Sequence, residues 1–316
     1  MKSIQEEITF PNLSIVSEPL SWYFRVFFLL KKWLKKLLFA QSYGPKSVLE
    51  SILKWLEEIP NIKWNHNPDE KDIYKSVYVP VGVEALKYAL SLKHIGKIQK
   101  LIVGPNITIP TSKNDIFFDK WIDIIVVPSH WLREYFYSLL GFHDPRIIIV
   151  PAGVDNAEPH SKKTQKILIY KKNCPEELFQ SICEYLEKNN YEYSLFLYGK
   201  FQKQDFLDAL RVSQCLIYLQ TSESQWIALH EAWMRDVPTL VWNQGYWKYA
   251  GMIWRDSHIS APYLTDDCGM FFSSKYDFPE VFRLFFERLS LYSPRKYCLE
   301  NFTHIGALGR LLRHLL

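Results

Sequence analysis

The stretch Thr221–Trp242 reads TSESQWIALHEAWMRDVPTLVW. The apolar run Cys215–Leu219 precedes it and is typical of a buried strand, and a short polar loop follows that run. Helical spacing extends from Trp226 to Arg235, and a second apolar run covers Thr239–Trp242. The order is therefore strand, loop, helix and strand, which predicts an α/β fold.

Two carboxylates, Glu223 and Glu231, stand eight positions apart in this stretch. Glu223 lies in the loop just before the helix, and Glu231 lies about one turn inside it. Open α/β sheets bind ligands at the carboxyl edge of their strands, so both carboxylates are candidates for ligand binding. The alternative is that Glu231 merely pairs with Arg235 one turn on, while Glu223 is a solvated loop carboxylate.

The run SESQWIALHEAWMRDVPTLVW resembles the E-x7-E signature of the GT-B nucleotide-sugar glycosyltransferases, especially the retaining family-4 group. Glu223 and Glu231 occupy the two signature positions. The preceding strand, the small residues Ala228 and Ala232 in the helix, and Val237–Pro238 opening the next strand add to the resemblance. It implies a GT-B fold, in which two Rossmann-like doubly wound domains face a cleft.

Composition limits the classes of protein to consider. The 316 residues suffice for about two domains, and an apolar content of 48% suffices for packed cores. The five cysteines form no C-x-x-C pair, which is typical of free thiols in a reducing cytosol. The first residues, MKSIQEEITF, lack the pattern of a secretory signal. We therefore expect a cytoplasmic protein. A net charge of +4, without any nucleic-acid-binding signature, predicts no nucleic-acid partner.

The expected domains are an acceptor domain over residues 1–152, a donor domain over 153–297, and a C-terminal helix over 298–316 that returns to the first domain. The runs VVPSHWLREYF and RIIIVPAGVD resemble the end of a GT-B N-domain and its crossover. Residues 161–165 form a polar linker. Ser129 suits a helix N-cap and Gly141 a helix C-cap.

Short apolar runs predict the remaining strands, and apolar residues at helical spacing predict the remaining helices. The expected strands are Leu13–Val16, Ser76–Val79, Lys100–Val103, Ile124–Val127, Ile147–Val150, Lys166–Tyr170 and Tyr193–Tyr198. The expected helices are Ser47–Glu58, Val83–Leu92, Trp131–Leu140, a helix opened by Pro175, Asp205–Val212, Phe278–Leu289 and Leu299–Leu316.

The segment Trp22–Phe39 reads WYFRVFFLLKKWLKKLLF and predicts a basic amphipathic helix. Each charge at a bilayer centre costs about 2.5–3.5 kcal/mol, so the segment is unsuited to span a membrane. A helix that lies in the headgroup plane of an anionic leaflet has a lower free-energy cost, because its charges stay at the surface. We therefore expect a peripheral membrane contact, on the inner face of a membrane; the alternative is that the apolar face packs on the domain.

Lys171 and Lys172 follow the predicted strand Lys166–Tyr170 and precede a helix N-terminus, an arrangement suited to phosphate. The resembled family usually has a second basic residue a few positions on, where this chain has Glu176 or Glu177. The alternative is two solvated lysines. Gly199 ends the next strand, and the resemblance places that loop near the nucleotide.

Two positions in the first half are candidates for the acceptor side of the cleft. Gly44 lies in a Gly-Pro turn that resembles the glycine loop near the start of GT-B enzymes. Asn106 follows the strand Lys100–Val103 and would bring its amide to the sheet edge. A turn without any ligand explains each of them as well.

The run WNQGYWKYAGMIWRDSHISAPYL is dense in aromatic residues. Its rings, among them Tyr246, Trp247, Tyr249 and Trp254, are suited to stack on a sugar or base, although core packing is the more frequent fate of such residues. His230 and His258 have no ligand partner at a metal-binding spacing, so we interpret both as structural.

The resemblance implies a retaining glycosyltransferase that moves a sugar from a nucleotide-diphosphate sugar to an acceptor that the sequence does not identify. Glu231 would accept hydrogen bonds from the ribose diol. Glu223 would bind the transferred sugar and stabilise positive charge at its anomeric carbon. Lys171, Lys172 and the helix N-terminus would hold the diphosphate, so no metal or cofactor is expected. Ser224, Gln225 and Trp226 are placed at the donor on the same resemblance.

One residue departs from the family pattern. Trp226 stands where the family commonly has a glycine that lets the backbone approach the donor phosphates. An indole there would fill or narrow the donor pocket. Two alternatives therefore stay open: a catalytically degenerate GT-B protein that binds a membrane or a partner, and a nucleotide-sugar epimerase on the same fold.

Overall fold

The structure, a computed structural model, describes residues 11–17, 44–58, 62–159, 164, 166–225 and 227–314. The predicted basic helix over Trp22–Phe39 and the residue Trp226 lie outside the described residues. Within the described part of the chain, no helix has the length and apolar content needed to cross a membrane. Contacts divide the chain into two compact units: unit 1 comprises Met1–Pro128, Phe136–Pro151 and Ala307–Leu316, and unit 2 comprises Ser129–Tyr135 and Ala152–Gly306.

Unit 1 contains a six-stranded parallel sheet in the order β2-β1-β3-β4-β5-β6. The strands are β1 (Leu13–Ile15), β2 (Trp64–His66), β3 (Ser76–Val81), β4 (Lys100–Asn106), β5 (Ile124–Val127) and β6 (Ile147–Ile149). The helices along this part of the chain are α1 (Gly44–Glu58), α2 (Val83–His94) and α3 (His130–Leu140), with 3-10 turns at Glu70–Asp72 and Ile116–Phe118. Strand order reverses between β1 and β3, which makes their carboxyl ends the topological switch point.

Both predicted caps of α3 are confirmed. The Ser129 hydroxyl accepts a hydrogen bond from the Leu132 amide at 3.4 Å, as an N-cap side chain does. Gly141 has a φ of +80°, and its amide donates to the Tyr137 carbonyl at 2.8 Å. A glycine adopts this left-handed conformation without the Cβ penalty, so the helix ends there.

Unit 2 contains a five-stranded parallel sheet in the order β13-β10-β9-β7-β8. The strands are β7 (Ile167–Asn173), β8 (Tyr193–Leu197), β9 (Cys215–Gln220), β10 (Thr239–Trp242) and β13 (Gly269–Phe272), and the strands β11 (Tyr246–Tyr249) and β12 (Met252–Arg255) form a separate antiparallel hairpin. The helices are α4 (Glu176–Lys188), α5 (Lys203–Val212), α6 (Ile227–Met234), α7 (Phe278–Glu287), α8 (Pro294–Asn301) and α9 (His304–Leu312), with a 3-10 turn at Leu289–Leu291. Here the order reverses between β7 and β9.

One face of this sheet packs into an apolar core. Alternate residues of β7, Ile167 and Ile169, are fully buried and share a cluster with α4 and α7. Strand side chains alternate between the two faces, so the intervening residues of β7 point to the other side of the sheet. The apolar face therefore determines which residues of β7 and β9 remain for a site on the opposite face.

The sequence patterns missed some elements. They did not predict β2, β13 or the hairpin β11–β12. The residues of the hairpin were interpreted only as part of an aromatic-rich segment. The single helix predicted over Leu299–Leu316 is wrong, because the chain forms α8 and α9 with a break at Phe302–Thr303. Phe302 is buried and Thr303 forms a parallel bridge with Val154, which takes the backbone out of the helix.

Gly269 is an essential glycine of unit 2. It opens β13 at a φ of +151° beside Thr239 of β10, and an added Cβ would overlap the Thr239 backbone, with the carbonyl carbon at 2.8 Å. We expect Gly269→Ala to destabilise unit 2 by about 2–4 kcal/mol, from strain and steric overlap. Thermal or urea unfolding measures this change.

Gly245→Ala is the matched control, because Gly245 has a φ of +75° but no atom lies within 4 Å of its added Cβ. It should cost only about 1–2 kcal/mol. Equal losses for the two variants would contradict the proposed overlap at Gly269.

Candidate functional site

Strand β7 continues to Asn173, three residues beyond its predicted end, and this separates the two lysines. Lys171 lies on the side of Ile169, where its ammonium pairs with Glu176 at 2.5 Å and lies 3.9 Å from the Phe179 ring. Lys172 points to the other face. Consecutive strand residues face opposite sides of a sheet, so the two ammonium groups lie on different faces, and the roles of Lys171 and Lys172 toward a phosphate stay predictions.

The face that Lys172 shares is lined by tyrosines. Tyr170 of β7 and Tyr218 of β9 pair in register, and their rings stack with centroids 5.1 Å apart. The Lys172 ammonium lies 4.7 Å from the ring centre of Tyr198, which follows β8. A cation over an aromatic face is held by the ring quadrupole. Three neighbouring strands thus position one ammonium group at the switch point of the sheet.

Glu223 meets this ammonium group. Its carboxylate accepts a hydrogen bond from Lys172 Nζ at 2.7 Å and one from the Tyr218 hydroxyl at 3.1 Å. The Ser224 amide lies 3.2 Å from the other carboxylate oxygen. The Glu223 side chain is only 13% exposed. The alternative of a solvated loop carboxylate is thus wrong, since the side chain is mostly buried and held by three donors.

Tyr218 is a component of the site that the sequence patterns missed. Burial, and secondarily the nearby Glu223 carboxylate, raise the pKa of Tyr218 well above its usual value. Its hydroxyl therefore stays protonated and can only donate to Glu223. The alternation of β9 was the available signal, because it places Tyr218 on the face opposite the core residues Ile217 and Leu219.

Backbone contacts fix the loop that carries Glu223. The Glu223 amide donates to the Ile259 carbonyl at 3.1 Å, and the Trp131 indole nitrogen donates to the Glu223 carbonyl at 3.4 Å. Nearby, the Gln220 side-chain amide donates to the Ser222 carbonyl at 2.7 Å. The carboxylate is consequently held in place from its backbone as well as from its side chain.

Glu231 occupies a different environment inside α6. Its residue is 8% exposed, and its carboxylate pairs with Lys203 Nζ, at the start of α5, at 2.8 Å. Arg235 donates to the Glu231 backbone carbonyl at 3.1 Å, and the positive charge of its guanidinium also acts on the Glu231 carboxylate. Burial raises the pKa of Glu231, and Lys203 partly opposes that rise. The two signature carboxylates thus have separate lysine partners.

The other predicted donor residues that the structure describes lie in two loops, the turn after β8 and the loop that carries Glu223. Gly199 has a φ of +77° in the turn after β8, a left-handed conformation that favours glycine. Ser224 and Gln225 follow Glu223, and Gln225 is buried. Lys203, four residues after Gly199, was not predicted. Their roles in donor binding stay predictions.

In unit 1, Asn106 and Gly44 have different surroundings. Asn106 is the last residue of β4, and its carbonyl accepts the Gly82 amide at 3.2 Å, at the carboxyl edge of the sheet. Gly44 was expected in a turn, but it is the first residue of α1. Roles of either residue toward an acceptor stay predictions.

A polar cluster at the ends of β1 and β2 was not predicted. Ser17 Oγ lies 2.9 Å from His66 Nε2 and accepts a hydrogen bond from Asn67 Nδ2 at 3.1 Å. The Ser17 amide donates to Asn67 Oδ1 at 2.9 Å. The Ser17 carbonyl also lies beside Gly82, where an added Cβ would come within 3.6 Å. The cluster borders the switch point of unit 1, and strand β2, absent from the predicted elements, is what brings His66 there.

The two histidines interpreted as structural are part of packing contacts. His230 is buried, with its ring 3.9 Å from that of Phe302 and Nδ1 3.1 Å from the Ala152 carbonyl. His258 is exposed and lies 2.9 Å from the Ser257 hydroxyl. Among the described residues, no group of three or more His, Cys, Asp or Glu side chains is arranged to hold a metal ion. The five cysteines form no disulfide.

Similarities to solved structures indicate the fold. The lipopolysaccharide outer core galactosyltransferase WaaB, in its apo form, superposes with a TM-score of 0.60 over 96% of this chain and 99% of that chain, at 11% identity. AviGT4, a glycosyltransferase involved in avilamycin A biosynthesis, gives 0.55 over 96% and 97% at 10% identity. Anabaena HepE in complex with UDP and glucose gives 0.55 over 97% and 99% at 8% identity.

These similarities confirm the predicted fold class: the chain is α/β, with two Rossmann-like units of the GT-B type. Neither a protein-family model nor a curated protein sequence matches the chain. The likeness therefore resides in the three-dimensional arrangement, and at these identities it shows the fold alone.

The raised pKa of Glu231 has a measurable consequence. Its ordinary value is 4.5, and burial raises it in the folded protein. The stability that the protonated carboxyl contributes is fully present below pH 4.5 and is lost as the pH rises through the folded pKa. We therefore expect the unfolding midpoint of Glu231→Gln, relative to that of the wild type, to increase from pH 4 to pH 7.

Thermal unfolding at several pH values measures this shift, with Glu280→Gln, at an exposed position of α7, as the control. If the relative midpoint of Glu231→Gln instead fell with pH, the ion pair with Lys203 would outweigh the cost of burying the charge.

Proposed function

We propose that the protein is a retaining, metal-independent glycosyltransferase that moves a sugar from a nucleotide-diphosphate sugar to an acceptor hydroxyl. The observation that carries this proposal is the pair of Glu223 and Lys172 at the switch point of unit 2, 2.7 Å apart and mostly buried. Ligands of open α/β sheets bind at such a point. The GT-B fold, and the UDP and glucose bound to the structurally similar HepE, support a nucleotide-diphosphate sugar as the donor.

The pair carries the two charges that the reaction needs. As the bond between the anomeric carbon and the diphosphate oxygen breaks, its electron pair goes to the leaving group, and positive charge develops on the sugar. The Glu223 carboxylate opposes that positive charge, and the Lys172 ammonium opposes the negative charge of the diphosphate. The Lys172 ammonium has three N–H donors, so its bond to Glu223 leaves others for phosphate oxygens.

The surroundings of the pair preorganise it for this work. Tyr218 and the Ser224 amide hold the carboxylate, and the ring of Tyr198 holds the ammonium. Groups that are already oriented need no reorganisation when charge develops, which is where most electrostatic stabilisation originates. The eight-residue helix α6 follows this loop, and its N-terminal dipole adds to the positive field near the diphosphate.

We assign Glu231 to the binding of the ribose of the nucleotide. In the absence of donor, its carboxylate bonds to Lys203, whose side chain is 41% exposed and able to turn toward solvent. A ribose diol would then donate hydrogen bonds to the carboxylate in place of the ammonium. The acceptor hydroxyl attacks the face that the diphosphate leaves, which retains the configuration of the anomeric carbon, and its proton passes to the departing diphosphate oxygen.

The acceptor is assigned to unit 1, where Asn106 and the cluster of Ser17, His66 and Asn67 line the carboxyl edge of the sheet. These groups can both donate and accept hydrogen bonds, as recognition of a hydroxyl requires. The basic amphipathic sequence Trp22–Phe39 supports a membrane-associated acceptor at an anionic cytoplasmic surface.

Nucleotide binding tests the assignment of Glu231. In calorimetry or a thermal-shift screen against nucleoside diphosphates and their sugars, we expect the wild type to bind at least one of them. Glu231→Ala should weaken that binding about tenfold or more, since hydrogen bonds to a charged group contribute about 1.5–3 kcal/mol each. Glu280→Ala, on an exposed part of α7, is the control. A wild type that binds no common nucleoside diphosphate or nucleotide sugar would refute the donor assignment.

Trp226 favours a second candidate function, a GT-B protein that has lost catalysis and acts as a binding module. The resembled enzymes commonly have glycine at this position, and an indole would narrow the approach to the donor phosphates. The epimerase alternative has no comparable observation in its favour.

Trp226→Gly separates the two functions. If the indole narrows a donor pocket, the variant should bind nucleotide sugars at least about tenfold more tightly than the wild type, because steric exclusion is relieved. Trp226→Phe, which keeps an aromatic ring, serves as the control. Unchanged affinity and measurable transfer by the wild type would show that the indole does not block the donor.

A further inference from the structure

The hairpin of unit 2, which we call the aromatic hairpin, comprises residues 246–255 and joins β10 to the chain leading to β13. Its two strands pair antiparallel, with Tyr246 opposite Arg255 and Lys248 opposite Ile253. The turn residues Ala250 and Gly251 both have positive φ values, +47° and +81°, as tight two-residue hairpins require. The hairpin is thus a separate two-stranded sheet with a defined register and turn.

One face of the aromatic hairpin is packed. The Trp247 ring lies 5.5 Å from that of Trp131 and 5.1 Å from that of Tyr135, and only 9% of Trp247 is exposed. The Tyr135 ring also lies 5.9 Å from that of Trp254. Ring contacts of this geometry add to the burial of apolar area, so the hairpin is held rigidly along this face.

The opposite face and the tip are uncovered. On the opposite face, Ile253 is 56% exposed. Tyr249 lies on the packed face beside the turn, where its ring stacks on that of Trp247 at 5.3 Å, and it is still 39% exposed. Lys248 and Arg255 are exposed, and neither forms an ion pair with any residue that the structure describes. The Arg255 guanidinium lies 5.7 Å from the ring centre of Tyr246. The sequence YWKYAGMIWR contains two cations and no acid.

An exposed apolar side chain directly opposite one cation and two residues from another matches the chemistry of an anionic bilayer surface. Aliphatic and aromatic side chains enter the boundary between headgroups and acyl chains, while lysine and arginine stay with the phosphates. Each basic residue near such a surface contributes about a fivefold factor in affinity. A soluble anion would explain the cations but not the exposed Ile253 and Tyr249.

We propose that the aromatic hairpin is a membrane-contacting element that docks on anionic phospholipid. Ile253 and Tyr249 enter the interface, and Lys248 and Arg255 bind the lipid phosphates. The Trp131 ring that packs on Trp247 also donates to the Glu223 carbonyl at 3.4 Å, so a hairpin on the bilayer would hold the Glu223 loop near its surface. This inference is separate from sugar transfer, because lipid binding needs no nucleotide sugar.

Co-sedimentation of the full chain with vesicles tests the docking surface. Vesicles of phosphatidylcholine alone are compared with vesicles containing about one third phosphatidylglycerol. The wild type should bind the anionic vesicles and bind the neutral ones far more weakly. Lys248→Glu/Arg255→Glu should reduce affinity for anionic vesicles at least about twentyfold, from two factors of about five. Ile253→Ser should reduce it severalfold while leaving the charge unchanged.

Two matched controls lie elsewhere in unit 2. Lys188→Glu/Arg288→Glu makes the same change in charge at two exposed positions, the last residue of α4 and the residue after α7, and Leu291→Ser removes a side chain that is 71% exposed. Both controls should bind vesicles within about twofold of the wild type. Unfolding midpoints establish that each variant is folded, and nucleoside-diphosphate binding without vesicles, expected to be unchanged in all variants, separates this proposal from the donor assignment.

Three results would overturn the proposal. The first is a wild type that does not bind anionic vesicles, and the second is a pair of hairpin variants that bind as their controls do. The second result would assign any vesicle binding to another part of the chain, such as the basic sequence Trp22–Phe39. The third is an unchanged affinity of Ile253→Ser for vesicles together with equal competition by inorganic polyphosphate, which would identify a site for soluble anions.

Discussion

The alternation of side chains along β7 and β9 is the constraint on which the candidate site depends. Ile167 and Ile169 must enter the apolar core with α4 and α7, and this commits the intervening residues to the other face. Register then pairs Tyr170 with Tyr218 and brings Lys172 to the same side. A shift of one residue would exchange the two faces completely, so core packing and site chemistry are not independent. The charged pair at the switch point follows from how the core is packed.

The two glutamates of the signature illustrate how position determines chemistry. Glu223 lies in a loop and receives a lysine, a tyrosine hydroxyl and a backbone amide, whereas Glu231 lies inside a helix and receives one lysine in a more buried setting. Burial raises the pKa of Glu231 in spite of its lysine partner. Such a difference suits two carboxylates with different tasks, one facing a developing charge and the other a neutral diol.

The positions of most parallel strands along the sequence were predictable. Continuous apolar runs such as Ile124–Val127 and Thr239–Trp242 have the predicted bounds, because strands buried on both faces carry little other pattern. Short strands were missed: Trp64–His66 contains polar residues, and its pairing with β1 depends on a partner some fifty positions away. The helix over Leu299–Leu316 was wrong because Phe302 and Thr303 leave the helix for tertiary contacts, which local propensity does not describe.

By itself the sequence determined the α/β class, the place of Glu223 and Glu231 in a strand-loop-helix unit, and the caps of α3, because all of these follow from local periodicity and backbone chemistry. The GT-B arrangement was predicted from a family resemblance. Tertiary structure alone decided the partners. Lys172 reaches Glu223 across 51 positions, while Lys171, its neighbour, pairs with Glu176 on the other side of the sheet. Lys203 meets Glu231 from a different helix. Contacts between distant residues depend on how strands are ordered and which face is buried, and a linear pattern contains neither.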